Sequence, residues 1–191
     1  MFRIRFLESI DRRGLFNLIN GIDRNLLGIK SKTKDLVNDW IGSIEEGLWE
    51  IYVGVLENNL IVNDFQKTKK CHFFWSRFLK KRPKIIGIVT LFGNWKTDKK
   101  LIKGEFEIGI SVAESFQHKG FGSKLLLFIL QRGKLLNYER AFLWTREDNI
   151  PMINLAEKVG FYKRGEKIED GYKWIQFYFD LKKEKEEKVA I

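Results

Sequence analysis

The chain is poor in the residues that build covalent or metal-centred sites. It has one cysteine in 191 residues, Cys71, so no intramolecular disulfide can form and the expected setting is reducing and cytoplasmic. Cys71 adjoins His72, but neighbouring residues rarely present a nucleophile and a base to one substrate, so the pair is read as incidental. His72 and His118 are the only histidines, too few for an imidazole-based site, and no metal is expected. The two prolines, Pro83 and Pro151, mark no interdomain linker, and no internal repeat is seen. No apolar run approaches the roughly 20 residues of a membrane span. Residues 1–7 alternate like a strand and lack a secretory apolar core and cleavage site, so neither membrane insertion nor export is expected.

What remains describes one domain over residues 1–191, with 44% hydrophobic residues to fill a core. The net charge of +10 is unevenly spread. From Asp64 to Lys84, eight basic residues face a single acid and interleave with Phe73, Phe74, Trp75 and Phe78. This basic aromatic insertion, about 63–83, has two readings. As a patch it contacts nucleic acid or an acidic protein surface. As a hairpin or loop it packs its aromatics on the body and leaves its lysines solvated, which is the favoured reading. Residues 182–191 form a mixed-charge tail with no assigned role.

Hydrophobic periodicity sets the element order. A strand at about 2–7 precedes amphipathic helices near 10–20 and 33–47. Strands follow at 49–57, 84–94 and about 103–112, then a helix to about 136 and a strand at 140–146. A short helix over 151–158 leads to strands near 162–168 and 172–181.

The most informative segment lies between two of these elements. Gln117-His118-Lys119-Gly120-Phe121-Gly122 joins a strand ending at Val112 to a helix that continues through Ser123. A strand, a glycine turn and a helix N-terminus aim backbone N–H groups at one point, with the helix dipole adding positive potential. That suits a phosphate, although a Gly-x-Gly turn is also an ordinary tight turn. A second segment completes the pattern. The strand 140–145 leads through Asn149 into the helix opened by Pro151 and closed at Gly160-Phe161.

Together these segments resemble the GNAT superfamily of N-acetyltransferases. That family carries Gln/Arg-x-x-Gly-x-Gly/Ala after its fourth strand and an Asn-led helix closing on Gly-Phe after its fifth. The specific match covers residues 105–161. The resemblance implies an α/β (α+β) fold: a mixed, mostly antiparallel seven-stranded sheet flanked by helices, with the fourth and fifth strands splayed. The pantetheine arm of acetyl-CoA then enters the splay. Backbone groups of Ile110 and Val112 are expected to pair with it, and the Val112 N–H to serve as oxyanion donor. N–H groups of His118, Lys119, Gly120, Phe121, Gly122 and Ser123, with Gln117 leading the motif, are expected to hold the pyrophosphate. Asn149 is expected to bond the pantetheine or, equally, to cap its helix.

An amine acceptor arrives protonated, so a proton acceptor is needed. Glu107 is the leading candidate and Glu105 the second, because alternation puts both on one face with Gly109 and Ser111. The bland alternative makes both glutamates solvated partners of lysines. The family often places a tyrosine acid seven residues after the Asn, and here that position is Ala156. Another donor such as Tyr162 or Tyr178, protonation by water, or an inactive acyl-CoA binder would each account for it. The expected partners are acetyl-CoA and an amine acceptor, with a protein amine slightly favoured over a small molecule. Nucleic acid is a less favoured partner, and the chain is expected as monomer or homodimer.

Overall fold

The computed structural model describes residues 1–22, 30–45, 50–57, 83–93 and 104–182. Strands β1 (Phe2–Phe6), β2 (Glu50–Leu56), β3 (Lys84–Gly93), β4 (Glu105–Val112), β5 (Arg140–Arg146), β6 (Tyr162–Glu169) and β7 (Tyr172–Asp180) form one sheet in the order β1-β2-β3-β4-β5-β7-β6. Helices α1 (Arg12–Asn20) and α2 (Thr33–Glu45) cover one face. On the other lie α3 (Phe121–Leu135) and α4 (Ile150–Val159). Every described pairing is antiparallel except β4 with β5, which are joined through α3 and run parallel. The expected seven-stranded sheet and its helices are all present. Cys71, His72 and the basic insertion, except Pro83, lie outside the described residues, as does most of the tail.

The sequence dictates this layering locally. In β3, Ile85, Ile86, Ile88, Val89 and Leu91 are all buried, because this central strand is covered on both faces. Leu15, Leu18 and Ile19 of α1 recur at helical spacing and pack with Val37 and Ile41 of α2 on Ile51, Val53 and Ile88. Leu125, Leu126 and Ile129 of α3 are fully buried in the second core, each worth about 1.5–3 kcal/mol of apolar burial. Asp170 and Gly171, at φ 55° and 77°, make the two-residue hairpin between β6 and β7. Glu50 ties β2 to α3. It accepts two bonds from Arg132 at 2.6 and 2.7 Å and one from the Tyr52 hydroxyl at 2.9 Å. The guanidinium, opposed by partial burial, holds the Glu50 carboxyl below its usual range. Among the described residues no helix is long and apolar enough to cross a membrane.

Candidate active site

Strands β4 and β5 begin side by side and then part. Only Glu105, Glu107 and the Phe106 between them find partners, opposite Arg140, Phe142 and Ala141. The start is stitched by the Gly104 carbonyl, which accepts from the N–H groups of Glu139 at 2.7 Å and Arg140 at 3.2 Å. Beyond Glu107 and Phe142 no ladder joins the two strands. Alternation then decides which backbone groups face the gap. The Ala113 N–H donates to the Ile86 carbonyl at 2.8 Å, so Ser111, Gly109 and Glu107 also turn their backbone groups toward β3. Ile108, Ile110 and Val112 therefore turn theirs toward β5. On β5, the Glu147 N–H donates to the Lys173 carbonyl at 3.0 Å, which turns Thr145 and Leu143 to β7 and leaves Trp144 and Arg146 facing the gap.

Between these strands lies a cleft of about 390 Å³. Ile110, Leu143, Thr145, Asn149 and Met152 line it toward α4. Glu107, Trp144, Trp174 and Trp40 line it toward α1 and α2. This second mouth carries balanced charge: Lys30 pairs with Asp170 at 2.5 Å and Lys167 with Glu169 at 2.6 Å. The Lys167 ammonium also sits over the Trp144 ring, 4.7 Å from its centroid, so an indole face in this mouth already accommodates a cation.

The glycine turn stands at the wide end of the gap, after Val112 and a short 3₁₀ turn at Glu114–Phe116. Gln117, His118, Lys119 and Gly120 are exposed, and the backbone is left-handed at His118 (φ 58°) and Gly120 (φ 79°). Gly120 caps α3, whose first N–H groups, at Phe121, Gly122 and Ser123, have no intrahelical acceptor. Not every side chain of the motif is directed outward. The Gln117 amide donates to the Val112 carbonyl at 3.1 Å, and the Lys119 ammonium to the Ser115 carbonyl at 2.9 Å. Gly122 packs closely, since a Cβ there would meet Leu155 Cδ2 at 3.0 Å. Its bare face lets the start of α3 approach α4.

The remaining site residues divide. Glu107 occupies the apex of the gap as the last paired residue of β4 and lines the cleft. Glu105, two residues earlier on the same face, does not reach it. It is 2% exposed, with Oε1 2.7 Å from the Arg140 guanidinium and Oε2 accepting a long bond, 3.5 Å, from the Tyr178 hydroxyl. Where an alternative base is expected from the sequence, the structure places a buried ion pair at the β4–β5 start. Tyr162 lies on the edge strand β6, separated from β5 by β7, with its hydroxyl 3.2 Å from Asp180. It is not brought to the cleft, which removes the geometric basis for it as the acid. Tyr178 faces Glu105 rather than the gap, and burial, with the Glu105 charge, raises its pKa. Asn149 caps α4 by accepting from the Met152 N–H at 3.4 Å, and it also lines the cleft. Ala156 is fully buried in the core beneath α4 and offers no proton. Sequence reasoning missed Trp40, Trp144, Trp174 and Thr145. Alternation in β5 sets Trp144 opposite Leu143, the one signal that would have placed its indole on the α1–α2 side of the sheet.

Among the described residues no group of three or more His, Cys, Asp or Glu side chains is placed to hold a metal ion. Comparison with known proteins follows the same geometry. The description "Acetyltransferase (GNAT) family" matches residues 38–161, from α2 to the end of α4. Over 101 residues the chain is 27% identical to the uncharacterized N-acetyltransferase YvbK of Bacillus subtilis (strain 168), covering 53% of this chain and 58% of that protein. Over 71 residues it is 35% identical to an N-alpha-acetyltransferase of Sulfurisphaera tokodaii, covering 37% of this chain and 42% of that protein. The chain thus spans little more than half of the first relative and less than half of the second. The crystal structure of an N-acetyltransferase from Staphylococcus aureus Mu50 shares the fold, with a TM-score of 0.69 at 20% identity, covering 95% of this chain and 99% of that one. With the family match running through both strands of the cleft, the glycine turn and α4, this chain belongs to the GNAT family of acetyltransferases.

Proposed function

We propose that this chain transfers the acetyl group of acetyl-CoA directly to an amine acceptor, with both bound at once on opposite sides of the cleft. The observation that carries this reading is the end of the β4–β5 ladder at Glu107 and Phe142. It leaves two facing rows of backbone donors and acceptors without a strand between them. An extended arm bearing amides fits such a gap as a strand fits a sheet edge. The exposed turn at Gln117–Gly120 and the start of α3 suit its pyrophosphate. When bound, acetyl-CoA supplies an acyl group on a thiol leaving group of pKa near 8.5.

The chain's own groups then divide the work. Ile110 and Val112 align the arm through their backbone groups. The Val112 N–H, turned to the gap, is the donor assigned to negative charge developing on the acyl oxygen. Glu107 takes a proton from the acceptor amine, directly or through water, from the apex of the gap. Trp40, Trp144 and Trp174 form an aromatic mouth for an acceptor that arrives as a cation. Protein or peptide amines are the favoured acceptors, on the resemblance of the Asn149–Phe161 segment alone. No side-chain acid is assigned, since a thiol of ordinary pKa leaves with modest help.

The test is an acceptor screen with labelled acetyl-CoA against free amines, peptides and lysate, with free thiol measured alongside. Label transfer coupled to thiol release is expected. CoA binding without thiol release for any acceptor would support a second reading, an acyl-CoA sensor, which the buried Ala156 favours.

A further inference from the structure

Thr145 is a polar residue in an apolar wall. It is 2% exposed, lines the cleft beside Leu143 and Met152, and its hydroxyl has no hydrogen-bond partner among the described residues. The other buried oxygen in that condition, Glu105 Oε1, lies 2.7 Å from a guanidinium. The Thr145 hydroxyl has no such compensation. The backbone of Thr145 is engaged elsewhere, in register with Ile175 of β7. A buried hydroxyl without a bond destabilises the free protein, and a methyl in its place would fill nearly the same space without that penalty.

We propose that Thr145 is a binding residue for the acyl carrier: its hydroxyl hydrogen-bonds an amide of the pantetheine arm and fixes how far the arm enters the gap. This rests on the acetyl-transfer reading, which puts that arm in the cleft. The chemistry fits, because the arm carries secondary amides that need partners once removed from water. Ile110 and Val112 serve one side of the arm through the backbone. On the opposite wall the backbone groups of Trp144 and Arg146 face the gap, but those of Thr145 between them turn away to β7, so at that position only the side chain can reach the arm. Asn149, four residues on, lines the same wall, and Met152 beside it is unbranched and able to shift as the arm enters.

The experiment compares the wild-type chain with Thr145→Val and Thr145→Ser by calorimetric titration and by thermal melts without ligand. Thr145→Val is expected to raise the CoA dissociation constant about tenfold, the loss of one hydrogen bond. Its melting temperature without ligand is expected to stay level or rise, because the unsatisfied group is gone. Thr145→Ser should keep CoA affinity within about threefold of wild type. Adenosine 3′,5′-bisphosphate, which lacks the arm, should bind wild type and Thr145→Val alike, placing the loss on the arm. Unchanged CoA affinity in Thr145→Val would overturn the inference, as would a clear drop in its melting temperature, since the hydroxyl would then be satisfied in the free protein. A wild-type chain that binds no CoA would overturn the acetyl-transfer reading and this inference with it, and so is distinguishable from failure of the inference alone.

Discussion

Replacing each of two glutamates on one face of β4 by glutamine separates their roles, because the structure gives them opposite surroundings. Glu107 lines the gap, whereas Glu105 is buried against Arg140. Glu107→Gln removes the proposed proton acceptor and leaves the backbone rows of the gap intact. Turnover should fall about 10²–10⁴-fold, the usual worth of a positioned base, with CoA affinity held. The deficit should shrink as pH rises toward the acceptor's own pKa, near 10.4 for a lysine-like amine, since solvent then supplies neutral amine. Glu105→Gln should do the reverse. Removing one partner of a fully buried pair costs about 3–5 kcal/mol. Here the Arg140 side chain is 31% exposed and keeps access to water, so the expected cost is discounted to about 1–3 kcal/mol. For a chain of this size, that lowers the melting temperature by about 2–4 °C per kcal/mol. Turnover per folded molecule should stay within about tenfold of wild type. The assays are thiol release at fixed times from about pH 6 to the amine pKa near 10.4, and differential scanning calorimetry. If Glu105→Gln lost turnover while Glu107→Gln lost only stability, the assignment of the apex residue as base would be refuted.

Three further outcomes follow from the same geometry. Gly120→Ala places a Cβ in open space but at φ 79°, so calorimetry should show a stability loss of about 1–2 kcal/mol from backbone strain, and CoA titration a weaker pyrophosphate site. Tyr162→Phe should leave turnover within about twofold of wild type, because its hydroxyl faces Asp180 on an edge strand; a loss near the scale of a catalytic acid would restore it to the site. The Glu50 carboxyl is held below its ordinary pKa in the folded chain. Its contribution to stability is therefore present above its unfolded pKa of about 4.3 and is lost as pH falls through the lower, folded value. Melts of wild type and Glu50→Gln should accordingly converge as pH falls through that acid range and separate toward neutral.

The sheet and its helices were legible in the sequence because their signals are local. The period-two run Phe2–Phe6, the β-forming run Tyr172–Asp180, and the Gly120 and Asn149 caps each specify an element without reference to the rest. The candidate site was legible in its backbone geometry, as at Ile110 and Val112, since strand alternation alone fixes which groups face the gap. It was not legible where a side chain's role depends on its neighbour across the sheet. Alternation put Glu105 and Glu107 on one face correctly, yet only the pairing with Arg140 and Tyr178 shows that one is buried and the other is not. Tyr162 illustrates the same limit. Nothing local to it reveals that β7 inserts between β5 and β6 and carries it away from the cleft.

The short seam between β4 and β5 has a consequence for how the molecule responds to ligand concentration. Only three register pairs, with the Gly104 stitch, join the four-stranded part of the sheet to the three-stranded part. An arm that bonds both exposed rows adds a splint across that seam and exists only in the folded state. By mass action it stabilises the fold by about 2.7 kcal/mol at a hundred times its dissociation constant. On the proposed reading the acyl carrier is a removable eighth strand, and how firmly the two parts of the sheet hold together becomes a readout of how much carrier surrounds the protein.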